Sequence, residues 1–174
     1  MSKKNLLLSI LLALFTSSAF SQSDKFWSVN NESKANMVTD KAVSRVSYPK
    51  QFRLYNLNTE NLRKELFAIV GSNVTGRSAE ITLPNVDGGL EQFEVFEASN
   101  FEPALQAQFP EIRAYSGRSI SDPASTLKIS ISPQGIQTMV FRNGGPSEYI
   151  EPYSADHTVY AVFHSQRNKG ALPW

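Results

Sequence analysis

The stretch from residue 126 to residue 163 constrains this chain most. Leu127, Ile129 and Ile131 alternate with Thr126, Lys128, Ser130 and Ser132, so a strand here has one buried and one wet face. Ser132-Pro133-Gln134-Gly135 reads as a type I turn by the placement of its proline and glycine. A strand over 136–142 follows, then the turn Asn143-Gly144-Gly145-Pro146, then strands over 148–153 and 158–163. Four strands joined by three short turns make an antiparallel meander. Such a sheet is expected to bury one face against a helix.

The residues upstream supply that helix. Residues 51–57 read as a strand, with Phe52 and Leu54 on one face and Arg53, Tyr55 and Leu57 on the other. Asn58 is a good N-cap, and Glu60 lies in the first turn, where the helix dipole favours an acid. Leu62, Leu66, Ile69 and Val70 recur at helical spacing, and Gly71 is the expected stop. Residues 79–83 and 90–98 read as strands joined through Asn85-Val86-Asp87-Gly88-Gly89, a strong hairpin signal. Phe93 and Val95 share one side of the second strand, with Phe96 on the other. Residues 103–109 read as a short helix with Pro103 near its first turn, ended by Pro110, and 112–117 as a further strand. The fold class is α+β: about seven or eight strands, mainly in antiparallel sheet that includes the four-stranded meander, with one main helix and one short helix.

The first residues set the compartment. Lys3 and Lys4 precede an apolar run over 6–15, which has the length of a signal h-region and is too short to span a bilayer. Small residues lead to Ala19-Phe20-Ser21, so cleavage is expected between Ser21 and Gln22. The chain is expected to be secreted, in the periplasm or outside the cell, with no membrane attachment after signal removal. Residues 1–21 hold two lysines and no acid. The 17 basic and 16 acidic residues of the whole chain thus become 15 and 16 in the remainder. A near-neutral chain with no dominant basic face argues against nucleic acid as a partner. The absence of cysteine excludes disulfides and thiolate metal ligands within these residues. Residues 22–47 are polar and weakly patterned and read as a loosely structured arm. Phe26 and Trp27 are the exception, expected to tuck an N-terminal strand onto the body. The α+β domain spans 48–164, and 165–174 reads as the start of a linker or a truncated end.

Familiar catalytic arrangements do not appear. Zinc proteolysis by a helix needs two histidines one turn apart with a nearby glutamate, whereas this chain has only His157 and His164, seven residues apart. No G-x-S-x-G elbow occurs, and Ser116-Gly117-Arg118-Ser119 sets its serines beside an arginine, which cannot accept a proton. Tyr115, Arg118, Tyr149 and Tyr153 are candidate protein-contact residues, because Tyr and Arg often anchor interfaces. The plainer reading of each tyrosine is packing within the sheet. Neither a catalytic residue nor a cofactor is expected in this chain.

Four segments carry a resemblance. They are F-E-V-F-E-A-S (93–99), Q-F-P-E-I-R-A-Y-S-G (108–117), I-S-I-S-P-Q-G (129–135) and Y-I-E-P-Y (149–153). Together with residues 52–66 and L-P-N-V-D-G (83–88), they resemble the N-terminal propeptide of secreted, reprolysin-like bacterial zinc metalloproteases. The likeness covers the chain from about Tyr48 onward. It implies a precursor of signal, prodomain and catalytic domain, the last carrying the zinc motif and the endopeptidase activity. This chain has no such motif, so no catalytic residue and no zinc ligand has a matching position here. The role that carries over is that of a prodomain, or a fragment of one. It would assist the folding of its cognate metalloprotease catalytic domain and mask it. In some relatives a cysteine thiolate occupies the zinc's open position, and that device is absent from these residues. The competing expectation is a free-standing secreted module that binds protein or glycan on its exposed sheet face.

Overall fold

The computed structural model describes residues 24–32, 37–39, 49, 51–71 and 76–165. The expected signal segment with its Ser21-Gln22 junction, most of the 22–47 arm and residues 166–174 lie outside the described residues.

Asn58 caps the main helix, α1 (Thr59–Ala68), as its side chain accepts a hydrogen bond from the Asn61 N–H at 3.0 Å. Leu62 and Leu66, one turn apart, are fully buried, which stabilises the fold by roughly 2 kcal/mol each. The helix stops short of the expected Val70. The Ile69 and Val70 N–H groups bond three residues back, to Leu66 and Phe67, so the final turn tightens before Gly71.

Among the described residues the strands form a single nine-stranded antiparallel sheet. They are β1 (Trp27–Val29), β2 (Arg53–Leu57), β3 (Ala79–Pro84), β4 (Leu90–Glu97), β5 (Arg113–Ser119), β6 (Thr126–Ser132), β7 (Gly135–Phe141), β8 (Glu148–Pro152) and β9 (Val159–His164). The spatial order is β1-β2-β9-β8-β7-β6-β5-β4-β3. From β3 to β9 every strand pairs with its sequence neighbour, so the meander has seven strands where the sequence suggested four. Then β2 pairs with β9, and β1 with β2.

The sheet curls until its two edge strands nearly meet, giving an almost closed barrel. The join is made by a side chain: the Trp27 indole N–H donates to the Thr82 carbonyl at 2.8 Å. Trp27 is 1% exposed and stands edge-on to Tyr160, with ring centroids 5.7 Å apart. Residues 27–29 are therefore the N-terminal strand that Phe26 and Trp27 were expected to tuck onto the body, anchored by this one large side chain.

Inward-facing side chains fill the barrel. Tyr115, Ile129, Thr138, Ile150 and Val162 form one cross-strand row, adjoined by Phe93, Val95, Leu127 and Val140. Gly117 is part of this packing. A Cβ there would lie 2.6 Å from Val95 Cγ1 and 2.7 Å from the Glu94 carbonyl oxygen, so no larger residue fits. Helix α1 does not lie against a sheet face, because the curled sheet buries its inner face against itself. The helix instead crosses one end of the barrel. Arg63 donates to the Ser132 carbonyl at the end of β6, Thr59 to the His157 carbonyl before β9, and the Gly71 N–H meets the Glu97 carboxylate at the end of β4.

The second helix, α2 (Pro103–Gln108), begins at the expected proline and buries none of its residues. A smaller apolar cluster of Leu54, Tyr153, Val159, Ala161 and Phe163 lies on the outer face of β2 and β9. Strand β2 is therefore buried on both sides.

Candidate interaction surface

The end of the barrel opposite α1 is closed by charge. Arg142, just after β7, reaches Glu148 Oε1 through Nε at 2.6 Å and Glu91 Oε2 through Nη2 at 2.7 Å. A second bond, Nη1 to Glu91 Oε1 at 3.0 Å, makes the Glu91 contact bidentate. Each carboxylate has further partners. The Ser119 hydroxyl donates to Glu91, and the Val86 N–H donates to Glu148 at 3.2 Å. Burial alone would lower the Arg142 pKa, but the two carboxylates outweigh it and raise it further above its ordinary value. The rim around this network is acidic, with Asp24 and Asp87 beside Glu91 and Glu148.

At the α1 end, Glu97 holds Arg113 at 2.9 Å and accepts the Gly71 N–H. Burial pushes its carboxyl up. The Gly71 N–H, the Ser99 hydroxyl and the Arg113 guanidinium overcome that and hold the pKa below the usual carboxylate range. Burial likewise pushes the Tyr115 hydroxyl well up, with the negative charge of Glu97 adding to it.

The four candidate contact residues do not share one surface. Tyr115 is 1% exposed and points into the barrel, so its ring belongs to the core rather than to a contact patch. Arg118 is exposed on the outer face of β5, without an ion-pair partner among the described residues. Tyr149 is half-buried on the outer face of β8 and stacks on Phe163, with ring centroids 5.8 Å apart. Tyr153 is buried beside Phe52 at 5.5 Å, in the smaller cluster. Arg118 and Tyr149 are thus the two that reach the outside of the sheet.

Between them the outer face is concave. Ala98, Ala114, Ser116 and Ser130 floor a groove of about 570 Å³, with Met139 and Tyr149 on its far wall. Small side chains on three adjacent strands leave this hollow, and Lys128 crosses it to donate to the Ser116 hydroxyl at 2.7 Å. Exposed apolar side chains occur on β4 and in the segment after it. Phe96, on the outer face of β4, is 47% exposed, and Phe101, Leu105 and Phe109 around α2 are exposed to a similar degree. A helix of six residues is too short to be stable alone, and α2 is held by the Gln106 side chain, which donates to the Phe109 and Ile112 carbonyls. The outward positions of β4 and β6 were readable from alternation. That Ala98, Ala114, Ser116 and Ser130 lie side by side was not, because it depends on the register of three strands.

His157 and His164 occupy opposite ends of the barrel. His157 sits in the turn before β9, in a left-handed conformation with φ 57°, and His164 ends β9 beside the charged mouth. Among the described residues no group of three His, Asp or Glu side chains is placed to hold a metal ion. Ser116 and Ser119 meet Lys128 and Glu91, respectively.

No protein-family model matches this chain, and neither a curated protein nor a solved structure matches it significantly.

Proposed function

We propose that this chain is the prodomain, or part of the prodomain, of a secreted reprolysin-like zinc metalloprotease, acting as a cover for the catalytic domain and as an aid to its folding. The reading rests on the four motif segments. Three of them supply adjoining strands of the barrel: F-E-V-F-E-A-S contains most of β4, R-A-Y-S-G opens β5, and I-S-I-S-P-Q-G runs from β6 into β7. The observation that favours a polypeptide partner is the concave outer face of β4 to β8, together with exposed Phe96 on β4 and exposed Phe101 and Leu105 in the segment that follows it. A rigid sheet with a hollow and exposed aromatic side chains is the kind of surface on which another chain docks.

Zinc, in this account, belongs to the catalytic domain, and no chemical step is assigned to these residues. The test is refolding. The catalytic domain encoded with this chain is denatured and refolded alone, with residues 22–174, and with the same segment carrying Phe96→Ser and Arg118→Glu. The prodomain reading expects a higher yield of active enzyme with the native segment and a smaller gain with the variant. A yield unchanged by the native segment sinks it.

A further inference from the structure

The geometry points to Asn143 as a site of spontaneous backbone modification: deamidation through a succinimide. This inference is independent of the functional reading above. Asn143-Gly144 is the single Asn-Gly pair in the chain. It lies in the connection between β7 and β8, where the ladder ends at the Val140 and Glu148 pair. Asn143 and Gly144 are both exposed. Neither the Asn143 carboxamide nor the Gly144 N–H has a hydrogen-bond partner among the described residues. Gly144 adopts φ +78°, and nothing lies within 4 Å of the point a Cβ would occupy. The attacking nitrogen therefore meets no side chain, and the loop has few contacts to resist the required rotation.

The reaction needs only water. The Gly144 backbone nitrogen loses its proton to solvent and attacks Asn143 Cγ. A new C–N bond closes the five-membered ring, and the bond to the carboxamide nitrogen breaks, releasing ammonia. Water then adds at one of the two ring carbonyls and opens the ring. One opening gives aspartate. The other gives isoaspartate, in which the main chain runs through the former side chain and gains a methylene. Either product is one negative charge richer.

Other asparagines are placed differently. The Asn85 side chain accepts the Gly89 N–H at 2.8 Å, the Asn58 side chain caps α1, and the Asn30 and Asn56 side chains bond to each other at 2.6 Å. Each is also followed by a residue bulkier than glycine. The consequence is local to the charged mouth. The new carboxylate stands one residue from Arg142, beside a rim already carrying Asp24, Asp87, Glu91 and Glu148. Because the loop lies outside the ladder, the added methylene leaves the β7–β8 register intact.

The test incubates purified residues 22–174 in mildly alkaline buffer, folded and in concentrated urea, and follows intact mass, charge variants and peptide maps. A segment with a local opening free energy near zero converts in the folded protein within about tenfold of its unfolded rate. The expected result is an acidic species that maps to Asn143 at such a rate and is missing from Asn143→Gln. Slower conversion in the folded chain than that limit, or an acidic species that persists unchanged in Asn143→Gln, would overturn the proposal.

Discussion

The two ends of the barrel solve one problem with opposite chemistry. At one end α1 lays Leu62 and Leu66 onto the core, and only its borders are polar. At the other, Arg142 is clamped between Glu91 and Glu148 with hydroxyl and amide groups filling in. Apolar closure gains from leaving water and tolerates small shifts. Charged closure gains little net free energy, since desolvation offsets attraction, but it fixes geometry and fails sharply when one member is removed. The helix end should thus carry the stability, and the charged end the register of β4, β7 and β8.

That contrast can be broken by substitution. Leu66→Ala removes a fully buried side chain and should cost about 3 kcal/mol in urea unfolding, with m unchanged. A loss under 1 kcal/mol would mean that α1 is a loose lid, by the usual cost of such truncations. Arg142→Met should cost about 2 kcal/mol, because it leaves two carboxylates facing each other in a partly buried site. Adding Glu91→Gln and Glu148→Gln to it should recover most of that loss. A triple variant less stable than the single one would show that Glu91 and Glu148 stabilise the fold through partners other than Arg142.

Acid probes the α1 end through Glu97. The folded Glu97 pKa lies below its unfolded value of about 4.3, so its contribution is fully present above that pH. The contribution is lost as pH falls through the folded value. Glu97→Gln should therefore flatten the acid limb of stability against pH, and an unchanged limb would show that Glu97 is not the group responsible. The smallest effect is expected at Tyr115. Its hydroxyl is buried without a hydrogen-bond partner among the described residues, as is that of Thr138. Tyr115→Phe should lie within about 1 kcal/mol of wild type, on the stabilising side. A clear destabilisation would mean that a bridging water serves the hydroxyl.

Much of this fold was legible because it is local. Asn58, Glu60, Leu62 and Leu66 specify α1 within three turns, and the alternation in β6 fixes which of its side chains turn inward. The closure was not legible. Trp27 sits in a strand of three residues, too short to show a period, and its partner Thr82 is 55 residues away. Arg142 and Glu91 are 51 residues apart, and neither looks unusual in sequence. Tyr115 has the composition of a surface anchor and the position of a core residue, and only the pairing with Glu97 and Ile129 decides between them.

The central claim is that the outer face of this barrel covers another polypeptide. The most direct measurement titrates residues 22–174 into the active catalytic domain encoded with them and follows peptide hydrolysis. The account predicts saturable inhibition, weakened by Arg118→Glu and Phe96→Ser but not by Tyr115→Phe. Hydrolysis that stays constant across the titration, with no complex detected at the highest concentration, would contradict it.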